Sequence, residues 1–292
     1  MVALERRIGD IAVSAIGLGG ANWSFREPRD DDRIVAFIRD AVSAGVTLID
    51  TARAYTTRTE PSHNERLIAR ALAGRTEDVL VATKAGHYRA GDDFPVDGRP
   101  ESLRRDCEAS LRALDVEAIG LYLLHHPDPA VPIDESVGAL EQLRAEGKIR
   151  LIGVSNVSPE QYRLATEAAP TIAAVENEFS PFAAHDAEFI RQLEADGIAY
   201  LAYSPLGGGR RSAGELPIAF HHVAGARRTS TQQVMLSWEL RRAGNLIPLV
   251  GASRLDTVLD SLAATEIELD SDEMIALDAS VDELRSKRKQ LK

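Results

Sequence analysis

A chain of 292 residues with 44% apolar and 27% charged side chains has the make-up of a globular protein, and it is long enough to bury a large core without metal or disulfide staples. Thirty-four basic against 45 acidic residues leave a net charge of −11, which argues against a nucleic acid as partner. The one cysteine, Cys107, cannot form an internal bridge, no apolar leader opens the chain and no run of about 18 apolar residues occurs, so secretion and membrane insertion are not expected and a cytoplasmic location is.

The chain begins with Arg7-Ile8-Gly9-Asp10-Ile11-Ala12-Val13, a Gly-Asp turn between two short extended runs, which predicts a small hairpin. Then one rhythm takes over. Residues 16–19 read as a first strand and 33–44 as its helix, with Gly45 in the position favoured just past a helix end. Strands follow at 46–50, 79–84, 119–124, 150–154, 171–175, 198–203 and 246–250. Amphipathic helices alternate with them near 64–72, 101–114, around Ile133, Val137, Leu140 and Leu143, from Pro159, and at 186–196, 231–243 and 255–264. His221 and His222 lie between strand seven and its helix, in a stretch expected to be a cofactor-covering or substrate-facing loop; without a third ligand nearby they predict no metal site. Strands this continuously apolar imply a parallel sheet covered on both faces.

At roughly 150 residues per domain the length suggests two domains, but eight uninterrupted strand–helix units close most naturally into one (β/α)₈ barrel of about 250 residues, with the hairpin as a plug at its bottom. A doubly wound sheet is the rival, and its first turn would carry three spaced glycines. Gly17-Leu18-Gly19-Gly20-Ala21-Asn22 supplies two of them, with Asn22 in the third place. Residues 1–292 are therefore expected to form a single barrel domain.

In such a barrel chemistry sits where strands end. The second strand ends at Asp50, with Tyr55 five positions on; the third ends at Lys84, the fourth at His125, the fifth at Ser155-Asn156, the sixth at Glu176-Asn177 and the seventh at Tyr203-Ser204-Pro205. A lysine ammonium lowers the pKa of a nearby tyrosine, a carboxylate holds the lysine, and a neutral histidine orients a carbonyl. A phenol so tuned can protonate an oxygen that gains negative charge. Hydride addition to a carbonyl creates such an oxygen, and the hydride must come from a nicotinamide.

These residues resemble the aldo-keto reductase superfamily. The resemblance is carried by Asp50-Thr51-Ala52-Arg53-Ala54-Tyr55, Thr83-Lys84, Leu121-Tyr122-Leu123-Leu124-His125, Gly153-Val154-Ser155-Asn156, Ala202-Tyr203-Ser204-Pro205-Leu206-Gly207 and Ile247-Pro248 before Gly251-Ala252, and it covers nearly the whole chain. It implies a TIM barrel and an oxidoreductase that reduces aldehydes or ketones, with Tyr55 as general acid beside Asp50, Lys84 and His125. It also implies NADPH, with NADH possible, lying across the barrel mouth. Asp50, Ser155, Asn156 and the strand-six residue Glu176 would face the nicotinamide and Tyr203 would stack on it. Ser204, Leu206, Gly207 and Arg210 would approach the pyrophosphate. Gly251 and Thr257 occupy the places where many relatives carry a lysine and an arginine for the adenosine 2′-phosphate, and Ser253 and Arg254 could supply a hydroxyl and a cation instead.

Glu176 replaces the usual glutamine. An ionised glutamate only accepts hydrogen bonds, so it would favour the cationic oxidised ring. Trp23, Phe25 and His126 are candidate substrate contacts. The alternatives are a cofactor-binding regulatory subunit with little turnover and an alcohol or sugar dehydrogenase using the same site in reverse. The substrate and the oligomeric state are not legible.

Overall fold

In a computed structural model, which describes residues 4–25, 28–208 and 216–290, Gly9 takes φ +58° and turns β1 (Glu5–Ile8) back along β2 (Ile11–Ser14). A side chain at that φ would be strained, which is why glycine holds the turn. Ile8 and Val13 of this hairpin join a buried cluster with Leu48, Leu121, Leu201 and Ile247, so the hairpin closes one end of the core that follows.

That core is a closed parallel barrel of eight strands: β3 (Gly17–Gly19), β4 (Leu48–Asp50), β5 (Leu80–Ala85), β6 (Ile119–Leu124), β7 (Ile149–Ser155), β8 (Ile172–Glu178), β9 (Ala199–Tyr203) and β10 (Leu246–Gly251). Each pairs with the next, and β10 returns to β3. Gly17 allows the last closure, since a Cβ there would come within 2.7 Å of Leu249.

The helices between strands are α2 (Asp31–Ser43), α3 (His63–Leu72), α4 (Pro100–Leu114), α5 (Ile133–Ala145), α6 (Pro159–Ala168), α7 (Ala187–Ala195), α9 (Thr231–Leu240) and α10 (Leu255–Ala263), preceded by the one-turn α1 (Asn22–Phe25). Their starts follow sequence chemistry. Asp30 accepts from the Arg33 amide at 3.0 Å, and Ser158 with Gln161 forms a reciprocal capping box. Such caps contribute about 1 kcal/mol each. Outward-facing strand residues such as Tyr122, Val154 and Val175 pack against the helices in a second buried layer.

Two expectations are corrected. The stretch holding His221 and His222 is not a loop but a helix, α8 (Ile218–Arg227), which buries Phe220, Val223 and Ala224 and leaves both histidines exposed. The expected helix 231–243 ends at Leu240. A further helix, α11 (Ser271–Gln290), follows α10. Among the described residues no helix is long and apolar enough to cross a membrane.

Candidate active site

Strand alternation decides what faces the barrel axis, because side chains two residues apart share a face. Leu48, Leu80, Leu121, Ala174, Leu201 and Leu249 belong to the interior cluster. Two or four residues further along the same strands stand Asp50, Lys84, His125, Glu176, Tyr203 and Gly251. The apolar interior thus gives way to polar groups at the carboxyl ends. Asp50, His125, Ser155, Glu176, Tyr203 and Gly251 line a cavity of about 650 Å³ there, together with Tyr55, His126, Asn156, Ser204, Leu206 and Gly208.

Lys84 is fully buried at the floor. Its Nζ donates to the Asp50 carboxylate and to the Thr51 carbonyl (2.9 Å), and lies 3.3 Å from Glu176 Oε1. Three acceptors account for its three protons, and Lys84 sits 5.3 Å from the centre of the Tyr55 ring. Burial opposes the ammonium, but the two carboxylates and Tyr55 outweigh it and hold Lys84 charged above the ordinary lysine range. Burial raises Asp50 against the pull of Lys84. Burial first, then the charge of Asp50, pushes the Glu176 carboxyl up to about 8.

Lys84 acts on Tyr55 in the expected sense but does not set the net direction. Burial pushes its phenol well above the usual tyrosine range; Lys84 pulls it down, but Asp50 and Glu176 both push it up. The Lys84 ammonium is paired with Asp50, which leaves little net positive charge to stabilise a phenolate. Tyr55 is held firmly protonated.

His125 stacks on His126 with ring centres 5.0 Å apart, and His87, on the segment after β5, meets both rings edge-on at 4.8 Å. Burial lowers all three: His125 falls well below its ordinary value, His126 to about 4, and His87 moves the same way. All three rings are neutral at neutral pH. Phe25 and Phe94 pack edge-on, and Phe25 also meets the Tyr55 ring at 5.7 Å. Trp23 points elsewhere: it is buried against Phe37, its indole N–H donates to the Ala252 carbonyl at 2.7 Å, and it does not line the cavity.

On the opposite wall Ser155 donates to the Glu176 carbonyl (2.8 Å), and the Asn156 amide donates to the His125 carbonyl (2.9 Å). The Tyr203 hydroxyl donates to Asn156 Oδ1 (2.7 Å). Asn156 and Ser204 sit at φ +58° and +53°, a conformation that costs a non-glycine residue free energy and concentrates at functional sites. Gly207, at φ +87°, has no room for a Cβ, which would meet the Phe182 ring at 2.6 Å. Arg210 lies outside the described residues.

A second cavity of about 360 Å³, lined by Arg33, Ser253, Arg254 and Thr257, meets the first at Asn22 and Gly251, which line both. Arg254 forms a fork with the Asp256 carboxylate, which also accepts from the Thr257 amide (2.7 Å). Sequence reading missed His87, Phe94, Arg33 and Asp256, none of which lies at a strand end; all four were identified by proximity in the fold. Cys107 is buried on α4, and its thiol is pushed up to about 12 by burial.

Comparison with known proteins supplies the context. Residues 15–282 match the family model "Aldo/keto reductase family". A probable aldo-keto reductase of Glycine max is 31% identical, over 88% of this chain and 82% of its own length. Among solved structures, a glycerol dehydrogenase from Gluconobacter oxydans superposes with a TM-score of 0.84 at 31% identity, covering 96% of each chain. An aldo/keto reductase from Klebsiella pneumoniae in complex with NADP and acetate gives 0.81 at 27%, covering 95% of each.

Proposed function

The chain belongs to the aldo/keto reductase family, and on that basis we propose that it is a carbonyl reductase that takes NADPH and converts aldehydes or ketones to alcohols. The observation that carries the reading is the convergence of Asp50, Tyr55, Lys84 and His125 at the carboxyl ends of the barrel strands and the loop after β4. The residues fit a nicotinamide cofactor: Ser155, Asn156 and Glu176 offer polar contacts on one wall, Tyr203 an aromatic face, and Leu206 and the exposed Gly208 line the cavity beyond it. When bound, the cofactor supplies hydride.

The protein's part is to hold the carbonyl and deliver a proton. Neutral His125 has an N–H with which to orient the carbonyl oxygen, and Tyr55 keeps its proton until that oxygen gains charge. Lys84, pinned between Asp50 and Glu176, sets the local field. Phe25 covers one edge of the Tyr55 ring and is itself backed by Phe94. A firmly protonated tyrosine suits reduction at neutral pH. The NADPH preference rests on Arg33 and Arg254 beside Ser253, although Arg254 must leave Asp256 to meet a phosphate.

Tyr55→Phe is expected to lower turnover of a generic aldehyde by about 10²–10⁴-fold, the span of general acid catalysis, while fluorescence quenching shows unchanged cofactor affinity. Retained turnover would remove Tyr55 from the reaction. Glu176 favours a second reading, oxidation of an alcohol or polyol, since its ionised form suits a cationic ring. The glycerol dehydrogenase among the structural neighbours is consistent with it. In that direction Tyr55 must act as a base, so oxidation should gain steadily as the pH rises.

A further inference from the structure

We propose that His87, His125 and His126 form a binding site for a divalent transition-metal ion of the zinc class, and that the bound ion blocks the carbonyl end of the cavity. One ring nitrogen from each lies within 4.8 Å of those from the other two. The tautomer of His87 is fixed by its partner. Its Nε2 is 2.6 Å from the Phe94 carbonyl, which can only accept, so Nε2 carries the proton and Nδ1 bears the lone pair. That Nδ1 is buried and has no hydrogen-bond partner. Buried polar atoms are rarely left so, and a metal-ligating histidine commonly gives its other N–H to a backbone carbonyl.

His125 repeats the signal independently. The residue is 6% exposed, and its Nδ1 is also buried and unpartnered. His126 brings the third ring nitrogen into the set, its Nε2 lying 3.4 Å from the Asn156 side-chain amide, and its ring must turn out of the stack on His125 to share an ion. The cluster contains imidazoles alone and no carboxylate. That composition suits zinc, copper or nickel and excludes magnesium and calcium, which take oxygen ligands. Zinc–nitrogen bonds of about 2.0–2.1 Å place tetrahedral ligands about 3.3 Å apart, so the rings must close by up to about 1.5 Å. Three protein ligands leave one position open towards the cavity. His125 and His126 both line that cavity, whereas His87 does not.

The inhibitory part rests on the carbonyl-reductase reading; the binding part does not. Isothermal titration of the untagged protein with zinc chloride is expected to give one site at micromolar concentration, with no heat from magnesium chloride. His87→Gln should weaken zinc binding at least tenfold while leaving turnover without metal within about twofold. Should that variant fold poorly by thermal melt, His126→Gln serves as the binding control, and cobalt chloride added to the wild type should give the visible bands of a four-coordinate site. Zinc should raise the KM for the carbonyl without changing the maximal rate. Absence of a one-to-one site at 100-fold lower than millimolar zinc, or equal affinity in His87→Gln, overturns the site. Zinc that binds through His87 without inhibiting overturns the blocking role alone. A wild type that binds zinc but reduces no carbonyl leaves the site standing and removes the functional reading.

Discussion

At Glu176 the chemistry of a single residue has the widest consequences for the site. Its carboxyl reaches 3.3 Å from Lys84, has one oxygen buried without a partner, and is raised to about 8 by burial first and by Asp50 next, with Lys84 opposing. Near pH 7 it is largely a neutral acid that donates like an amide; above pH 8 it is an anion that only accepts. A ligand with a cationic ring binds the anion better and so draws off the proton. The affinity for NADP⁺ relative to NADPH is therefore expected to rise several-fold from pH 6 to pH 8 and to level off above it. In Glu176→Gln the ratio should stay flat, and parallel curves in fluorescence titrations would rule out the effect. The position of Glu176 was legible in the sequence, because even spacing along each strand puts Asp50, Lys84, His125, Glu176 and Tyr203 on one face. The direction of tuning at Tyr55 was not. It depends on where three protons of Lys84 go, and spacing along a chain carries no information about that.

At the scale of elements, α9 shows what apolar patterning conceals. Val234, Met235 and Trp238 are buried as an amphipathic stripe predicts, but Glu239 is buried with them at 0% exposure, and neither carboxyl oxygen has a hydrogen-bond partner. Burial alone raises its pKa well above the ordinary value. The folded protein therefore keeps a proton there that the unfolded chain releases above about pH 4.5, so stability falls as pH rises, by about 1.4 kcal/mol per pH unit until the folded group titrates. Glu239→Gln has no such proton to keep. It is expected to raise Tm at pH 8, with the gain shrinking towards pH 5, and an equal gain at both pH values in calorimetric scans would count against a neutral Glu239. Most elements were legible because their periodicities are strong: the hairpin at Gly9, the eight strands and the helices capped by Asp30 and Ser158 fall where expected. The segment of α8 was not, since two adjacent histidines and Gly225 blur its apolar stripe. Trp23 was misplaced for a related reason: an indole has an apolar body and one polar tip, which suits a cavity wall or a buried bond to Ala252 equally.

For the whole molecule, the described strands form one closed barrel with a hairpin at one end, and α11 follows α10. The net charge of −11 opposes an anionic cofactor at long range, and Debye screening over about 8 Å at physiological salt makes the local set decide. Around the second cavity that set is mixed. Arg33 and Arg254 favour a 2′-phosphate, while Asp256 holds Arg254 and would itself suit the ribose hydroxyls of a cofactor without one. The two outcomes separate in global stability. A ligand that binds only the folded state at 100 times its Kd stabilises by about 2.7 kcal/mol, which for a chain of this length moves Tm by about 4 °C. If the arginines prevail, NADPH is expected to give that shift at a concentration where NADH, binding at least tenfold more weakly, gives at most about half of it. Arg33→Ala should then bring the two shifts together by lowering the first. Equal shifts in the wild type, or a larger one with NADH, would show that Asp256 keeps its arginine and that the second cavity reads the ribose hydroxyls instead of the phosphate.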